Sequence, residues 1–275
     1  MKKAIITALS AALLLCGCVD KEKRAAEELL DQVKENIENK NYKLAIAQLD
    51  TLDHVYKAQV ELRREGMQLR PLAIEGAALR DLESTDSLIA VLTIENEKKK
   101  ESLRFVENPV EGYFVSSKEK AGTFMGSNGI QARISPDGIF YIVSSTTRPV
   151  KSTGVTLKAG DKEAKSKNVK YDDERNYRRN GIEVITFMRA ECDTLGKFAT
   201  AHRGEEMSLT FEGEKPYTVK FTTEDAERLA EVYECSQLFM DCQLAQTKKA
   251  RLEKSLELAR NQQARTFSPD SQEDK

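Results

Sequence analysis

The apolar positions of this chain change their spacing twice, and each change predicts a different kind of structure. Near the start they recur at intervals of three and four residues, which places them on one face of an amphipathic helix. The first stripe is formed by Ala26, Leu29, Val33 and Ile37. After the polar turn NKNY a second stripe follows, and the pair predicts a helical hairpin; its members are Leu44, Ala45, Leu49, Leu52 and Tyr56.

Helical spacing continues up to a break at Asn108-Pro109. Apolar residues from Leu72 to Phe105 are spaced for a helix. Gly66 and Pro71 are expected to interrupt the helices before it. We therefore assign residues 18–107 to a helical region.

Residues 108–221 switch to a period of two, which is typical of β-strands. The stretch GIQARISPDGIFYIVSS predicts a hairpin around its SPDG turn, and a second hairpin is expected from Met207 to Phe221. Shorter strands are expected at Tyr113 to Val115, Val155 to Leu157, Val169 to Tyr171, Ile182 to Phe187 and Phe198 to Ala201. So many short strands favour an antiparallel β-sandwich or barrel.

Residues 222–265 return to helical spacing and predict one long helix, which Thr222 can cap by accepting a hydrogen bond from the amide of Asp225. A narrow apolar seam, interrupted by Lys249, suits packing on another long helix or on a partner; its members are Leu238, Cys242, Ala245, Leu252, Leu256 and Ala259. Residues 266–275 are polar enough to be predicted disordered. The expected fold class is α+β, with N-terminal helical hairpins, a central antiparallel sandwich or barrel, and a long C-terminal helix.

The charge balance narrows the range of partners. The chain carries 43 basic and 45 acidic residues, so nothing favours nucleic acid or an anionic membrane patch. Charged residues make up 32% of the chain and tryptophan is absent, which fits long solvated helices better than a large aromatic core.

The first 17 residues predict a signal peptide. Lys2 and Lys3 give a positive start, and the stretch from Ala4 to Leu15 has no charge. As a helix this stretch would reach about 18 Å, which is too short for the ~30 Å hydrocarbon layer of a bilayer. It is therefore interpreted as the apolar core of a signal peptide rather than as a transmembrane span.

The end of this segment, Leu15-Cys16-Gly17-Cys18, resembles the lipobox of bacterial lipoproteins. In that family a leucine stands three residues before the cleavage site, a small residue directly before it and the lipidated cysteine directly after it. The resemblance implies that Cys18 carries the lipid, because Cys16 follows Leu15, which is too bulky for the position before the cut. Acyl chains on Cys18 would then anchor the protein to a membrane.

The overall layout is similar to uncharacterised lipoproteins of Bacteroidota, which join a helical amino-terminal region to a small β domain. The resemblance implies a place in the cell envelope, at the outer membrane. Asp20, Lys21 and Glu22 partly resemble a surface-export signal of that group, so both the periplasmic face and the cell surface stay open. The stretch KNYKLAIAQL also resembles half of one tetratricopeptide repeat, with Tyr42 and Ala45 in place, but no second copy follows.

Three cysteines follow the signal region, and their odd number leaves at least one thiol unpaired within the chain. Cys235 and Cys242 are about 10.5 Å apart along a predicted helix, too far for a disulfide. A bond from Cys192 to either one stays open, as does the interpretation that all three are small buried side chains.

Candidate chemistry is sparse. His54 is expected on a helix surface, and His202 could join Glu205 and Glu206 around a metal, although a polar loop is the simpler interpretation. Cys192 with His202 would be the candidate nucleophile and base of an enzyme. No GxSxG, phosphate-binding or dinucleotide motif accompanies them. We therefore predict no catalytic residue, no metal and no cofactor.

The charged segment of residues 171–181, YDDERNYRRNG, is predicted to be either a solvated loop or a contact surface rich in tyrosine and arginine. The expected function is that of a lipid-anchored, non-catalytic interaction or adaptor module with a protein partner in the envelope. The alternative is a lipoprotein that binds a small ligand, a sugar or a lipid, through the β domain.

Overall fold

The computed structural model describes residues 21–120, 122 and 124–266. The predicted signal peptide, the lipidation candidate Cys18 and residues 267–275 of the predicted disordered tail lie outside the described residues. Five α-helices are described: α1 (21–38), α2 (Tyr42–Val55), α3 (Val60–Lys100), α4 (Asp193–Ala201) and α5 (Thr223–Thr266).

Ten strands are described between α3 and α5. They are β1 (Leu103–Val106), β2 (Tyr113–Ser116), β3 (Gly129–Ile134), β4 (Phe140–Thr146), β5 (Gly154–Ala159), β6 (Lys162–Lys165), β7 (Asn176–Arg179), β8 (Ile182–Met188), β9 (Met207–Glu212) and β10 (Tyr217–Phe221). The mixed α+β class and the long C-terminal helix are thus confirmed.

The chain divides into two compact units. A helical unit comprises the described residues up to Leu88 together with those from Ala245 onwards, and a sheet unit comprises Ile89–Leu244. The boundary falls inside α3 and again inside α5, so each long helix contributes to both units.

The helical unit contains the predicted helical hairpin, formed by α1 and α2. Val33, Ala45 and Leu49 are fully buried in its core, as the spacing predicts, and Ala73 of α3 packs with them. The expectation that Gly66 interrupts the helices is wrong, because α3 continues through this residue. A Cβ atom at Gly66 would lie 2.9 Å from a methyl group of Leu52, so this glycine allows two helices to approach closely rather than ending one.

Pro71 does not break α3 either. Its side chain is buried, and tertiary packing of this kind routinely overrides the loss of one helical hydrogen bond. Within the same unit the predicted seam of α5 packs on α3: Lys249 forms an ion pair of 2.8 Å with Asp86, and Ala245 and Ala259 are buried.

The sheet unit contains two antiparallel sheets. Six strands follow the order β1-β2-β3-β4-β8-β7, and four follow the order β10-β9-β5-β6. Each sheet has two edge strands, so neither closes into a barrel. Both contribute to one apolar core with α4 and α5, in which Phe187 of β8 and Phe211 of β9 are fully buried.

The SPDG hairpin is confirmed. Ile134 pairs with Phe140, and the amide of Gly138 donates to the carbonyl of Ser135 at 2.9 Å. Gly138 has a φ of +85°, a conformation that glycine adopts without steric penalty. The cap of α5 is also confirmed, because the hydroxyl of Thr222 accepts from the amide of Asp225 at 3.1 Å.

Three further sequence predictions are wrong. Helix α3 ends at Lys100, and Leu103–Val106, at the end of the predicted helix, is strand β1. Val169 to Tyr171 is irregular, and the strand lies further on as β7. Phe198 to Ala201, predicted as a strand, is the end of helix α4. Each error involves a short segment, in which helical and strand periodicity are hard to tell apart.

Candidate functional site

An open groove of about 670 Å³ lies in the sheet unit beside the charged segment. Its walls come from the link between β4 and β5, from β8, from the charged segment and from the β9–β10 turn. Its volume lies within the range usual for small-molecule sites. The side chains that define its chemistry are Lys151, Thr153, Tyr171, Arg178, Glu183 and Glu214.

Glu183 forms the base of the groove. Its side chain is only 5% exposed, and its carboxylate accepts hydrogen bonds from the amides of Lys151 at 3.1 Å and Ser152 at 3.0 Å. It also accepts from the guanidinium of Arg178 at 2.8 Å. Three donors from two segments of the chain therefore converge on one buried carboxylate, which fixes the shape of the groove floor.

Part of the charged segment is strand β7, which pairs with β8, while most of the segment is exposed to solvent. One carboxylate oxygen of Asp172 accepts from the backbone N–H groups of residues 174–176, which lowers the pKa of Asp172 below its usual range. The buried amide of Asn176 donates to the carbonyls of Ser152 at 3.0 Å and Val169 at 2.8 Å. These bonds tie the segment to the rest of the groove wall.

Tyr171 presents its ring at this wall. The residue is 55% exposed, yet its hydroxyl accepts a hydrogen bond from the amide of Arg178 at 2.9 Å. An aromatic ring held in place but open to solvent is a common recognition element.

Cys192 and His202, the candidate nucleophile and base, have separate partners. The thiol of Cys192 is fully buried and donates to the carbonyl of Phe187 at 3.3 Å. Burial raises the pKa of Cys192 to about 12, so the thiol stays protonated at neutral pH. No hydrogen bond among the described residues joins Cys192 to His202.

His202 pairs with only one of the two carboxylates considered for a metal site. Its Nδ1 lies 3.0 Å from Glu205, whereas Glu206 pairs with Lys220 at 2.7 Å. Over the described part of the chain, no cluster of His, Cys, Asp or Glu side chains could hold a metal ion. His54 is exposed, as expected.

The cysteines of the sheet unit are free thiols. Cys235 is buried and Cys242 is partly buried, and neither forms a disulfide with Cys192. Burial raises the pKa of both Cys235 and Cys242. The interpretation as small packed side chains therefore holds for Cys192 and Cys235, and partly for Cys242.

A second surface of the sheet unit is formed by the helix segments of α3 and α5 that belong to it. The two run antiparallel: Lys99 forms an ion pair of 3.0 Å with Glu234, while Cys242 interacts electrostatically with Glu95. Four large apolar side chains on these segments are about half or more exposed: Val91 (54%), Ile94 (68%), Met240 (48%) and Leu244 (61%). We call these four residues the apolar face.

Heptad positions describe how the four residues are placed around the pair. Leu92 and Cys242 are less exposed and lie at the contact between the two helices, Leu92 at position d and Cys242 at position a. Counted from these, Val91 and Leu244 fall at position c, which lies on the same side of an antiparallel pair, and Ile94 and Met240 fall at position f, on the outer side of each helix. Val91 and Leu244 therefore share one side, with Ile94 and Met240 next to them on their own helices, and the α3 segment SLIAVLTI has no charge.

Sequence reasoning found part of the groove and missed the rest. The charged segment contributes Tyr171 and Arg178, but Lys151, Glu183 and Glu214 come from other segments. The available signal for Glu183 was a single acidic residue inside the apolar strand IEVITFM.

Comparisons with protein-family models, curated proteins and solved structures find no match to this chain. Within the described residues, no helix combines the length and apolar content that crossing a membrane requires.

Proposed function

We propose that this protein is a lipid-anchored module of the bacterial cell envelope that binds another envelope protein and catalyses no reaction. The observation that carries the proposal is the apolar face. Isolated exposed apolar residues are ordinary, but four large ones on two neighbouring helix segments are more typical of a protein–protein contact.

The partner expected is a protein that offers an apolar helix or groove of its own. The four residues are uncharged, and their immediate neighbours Glu95 and Asp241 are acidic, so this surface offers nucleic acid no electrostatic attraction. Val91 and Leu244, on one side of the antiparallel pair, suit contact with the apolar side of a partner helix.

Photocrosslinking in intact cells tests the partner. A benzoylphenylalanine placed at Ile94 should form a covalent adduct with another envelope protein. The same probe at Met67 is the matched control, because Met67 lies on the same helix and is 65% exposed but stands outside the apolar face. The double substitution Val91→Glu and Leu244→Glu should abolish the Ile94 adduct and leave the melting temperature within about 2 °C.

Three results would contradict the partner proposal. These are an adduct of equal yield from Met67, an adduct that survives the two glutamates, and an adduct only between two copies of this chain.

The anchor is the second part of the proposal, with Cys18 as the lipidated residue. Metabolic labelling with a clickable fatty acid should mark the wild-type protein and the Cys16→Ala variant, and should leave Cys18→Ala unmarked. The two cysteines stand one residue apart, so Cys16→Ala controls for any general effect on export. Label retained in Cys18→Ala would remove the anchor from the proposal and would leave the test of the apolar face unaffected.

The face-to-face sandwich predicted from the sequence belongs to the same proposal. Its support is the single core that contains Phe187 and Phe211 from different sheets. Because this core is filled by large, fully buried side chains, the small-ligand alternative fits a surface groove better than an enclosed cavity.

A further inference from the structure

We infer that the groove beside the charged segment binds a neutral, hydroxyl-rich ligand, that is, a saccharide. This inference gives the small-ligand alternative a site and a ligand class. The groove shares no residue with the apolar face, so the two can be tested independently.

The charged side chains of the groove balance each other. Lys151 and Glu214 form an ion pair of 2.8 Å at its rim, and Arg178 and Glu183 form another of 2.8 Å at its base. Two positive and two negative side chains leave no excess charge for an anion such as phosphate. Each pair offers hydrogen-bond donors next to acceptors, which matches hydroxyl groups because a hydroxyl both donates and accepts.

The backbone of the groove wall does not suit an added peptide strand. A peptide that extends a sheet needs unpaired N–H and C=O groups along an edge. In the groove wall, the amides of four consecutive residues already donate hydrogen bonds. Those of Lys151 and Ser152 donate to the carboxylate of Glu183. The amide of Val150 donates to the carbonyl of Arg148, and the amide of Thr153 donates to the carbonyl of Glu212. Recognition in this groove must therefore rely on side chains.

Tyr171 offers an exposed ring to a ligand. The apolar C–H face of a sugar ring can pack on an aromatic ring, while its hydroxyls reach the polar groups around it. The hydroxyl of Thr153 makes no hydrogen bond with the described residues and is a further group available to such a ligand. Four charged side chains in one groove make a bare acyl chain a poor fit.

The groove is also preorganised. Lys151 has a φ of +51°, a left-handed conformation that is uncommon for a residue other than glycine and is enriched at ligand sites. A Cβ atom at Gly213 would lie 2.5 Å from the carbonyl oxygen of Val150, so only glycine allows the two segments to approach this closely. A wall fixed before binding reduces the entropy lost when a ligand is held.

Saturation-transfer NMR on the full chain, purified in a detergent without a sugar headgroup, tests the inference. The probes are cellobiose, maltose and N,N′-diacetylchitobiose at millimolar concentration. At least one should receive saturation at its ring C–H protons. Tyr171→Ala should weaken binding at least tenfold, whereas Tyr177→Ala, on the same hairpin but outside the groove, should bind like wild type. Thr153→Val should also weaken binding and leaves the ring in place.

Inorganic phosphate and decanoate serve as the anionic and acyl probes. The inference is overturned if none of the three disaccharides binds, or if phosphate or decanoate displaces the one that does. It is also overturned if Tyr171→Ala and Thr153→Val both bind the disaccharide like wild type. None of these results would alter the photocrosslinking expected at Ile94.

Discussion

Replacing Gly196 by alanine is expected to destabilise the sheet unit by about 3 kcal/mol, although alanine is the better helix former. Gly196 lies inside α4, and a Cβ atom there would stand 2.2 Å from the ring of Tyr233. That ring cannot move away easily. It is 5% exposed, its hydroxyl donates to Asp193 at 2.7 Å, and it packs edge-to-face with the ring of Phe140, with ring centroids 5.1 Å apart.

Thermal unfolding followed by circular dichroism measures the effect, and we expect the melting temperature to fall by about 10 °C. Gly204→Ala is the matched control. Gly204 follows the same helix with a φ of +83°, but a Cβ atom there meets no atom within 4 Å, so only conformational strain of about 1–2 kcal/mol is added.

A double-mutant cycle identifies the cause. In a Tyr233→Ala background the clash is gone, and Gly196→Ala should become neutral or stabilise the helix by up to about 1 kcal/mol. An equal loss of stability with and without the ring, or a loss no greater than that of Gly204→Ala, would show that contact with Tyr233 does not explain this glycine.

The same position explains one of the sequence errors. The segment DTLGKFATA has a glycine in its middle, which weakens the helical pattern, and its β-branched Thr200 favours a strand. For these two reasons the sequence predicts a short strand from Phe198 to Ala201. The reason for the glycine is a ring 37 positions later in the chain, which no local window contains. The SPDG hairpin, by contrast, was predictable because its turn and its alternation are both local.

Strands β6 and β7 were missed for a different physical reason. Both are edge strands, of sequence KEAK and NYRR. Charged side chains protect a sheet edge from pairing with other chains, and they also remove the apolar alternation by which a strand is recognised. The sequence predicts only part of the groove. The charged segment is recognisable by its composition, whereas Lys151 and Glu214 resemble ordinary charged surface residues.

Replacing Glu183 by leucine is expected to destabilise the sheet unit by about 2–4 kcal/mol. The carboxylate is buried and satisfies the amides of Lys151 and Ser152 together with the guanidinium of Arg178. Leucine would leave the amide of Ser152 buried without an acceptor, which alone is worth about 1–3 kcal/mol. The contribution of Arg178 is smaller than that of a fully buried charge, because its side chain is 36% exposed and water can solvate it.

Urea unfolding of the purified protein gives the measurement, and two variants calibrate it. Glu183→Gln keeps an oxygen acceptor and should lose about half as much stability. Glu214→Leu removes the same charge from the same groove. Because Glu214 is 66% exposed, this substitution should lower the free energy of unfolding by no more than about 0.5 kcal/mol. If Glu183→Leu were no more destabilising than Glu214→Leu, the groove floor would not depend on the buried carboxylate. The preorganisation that favours ligand binding there would then need another source.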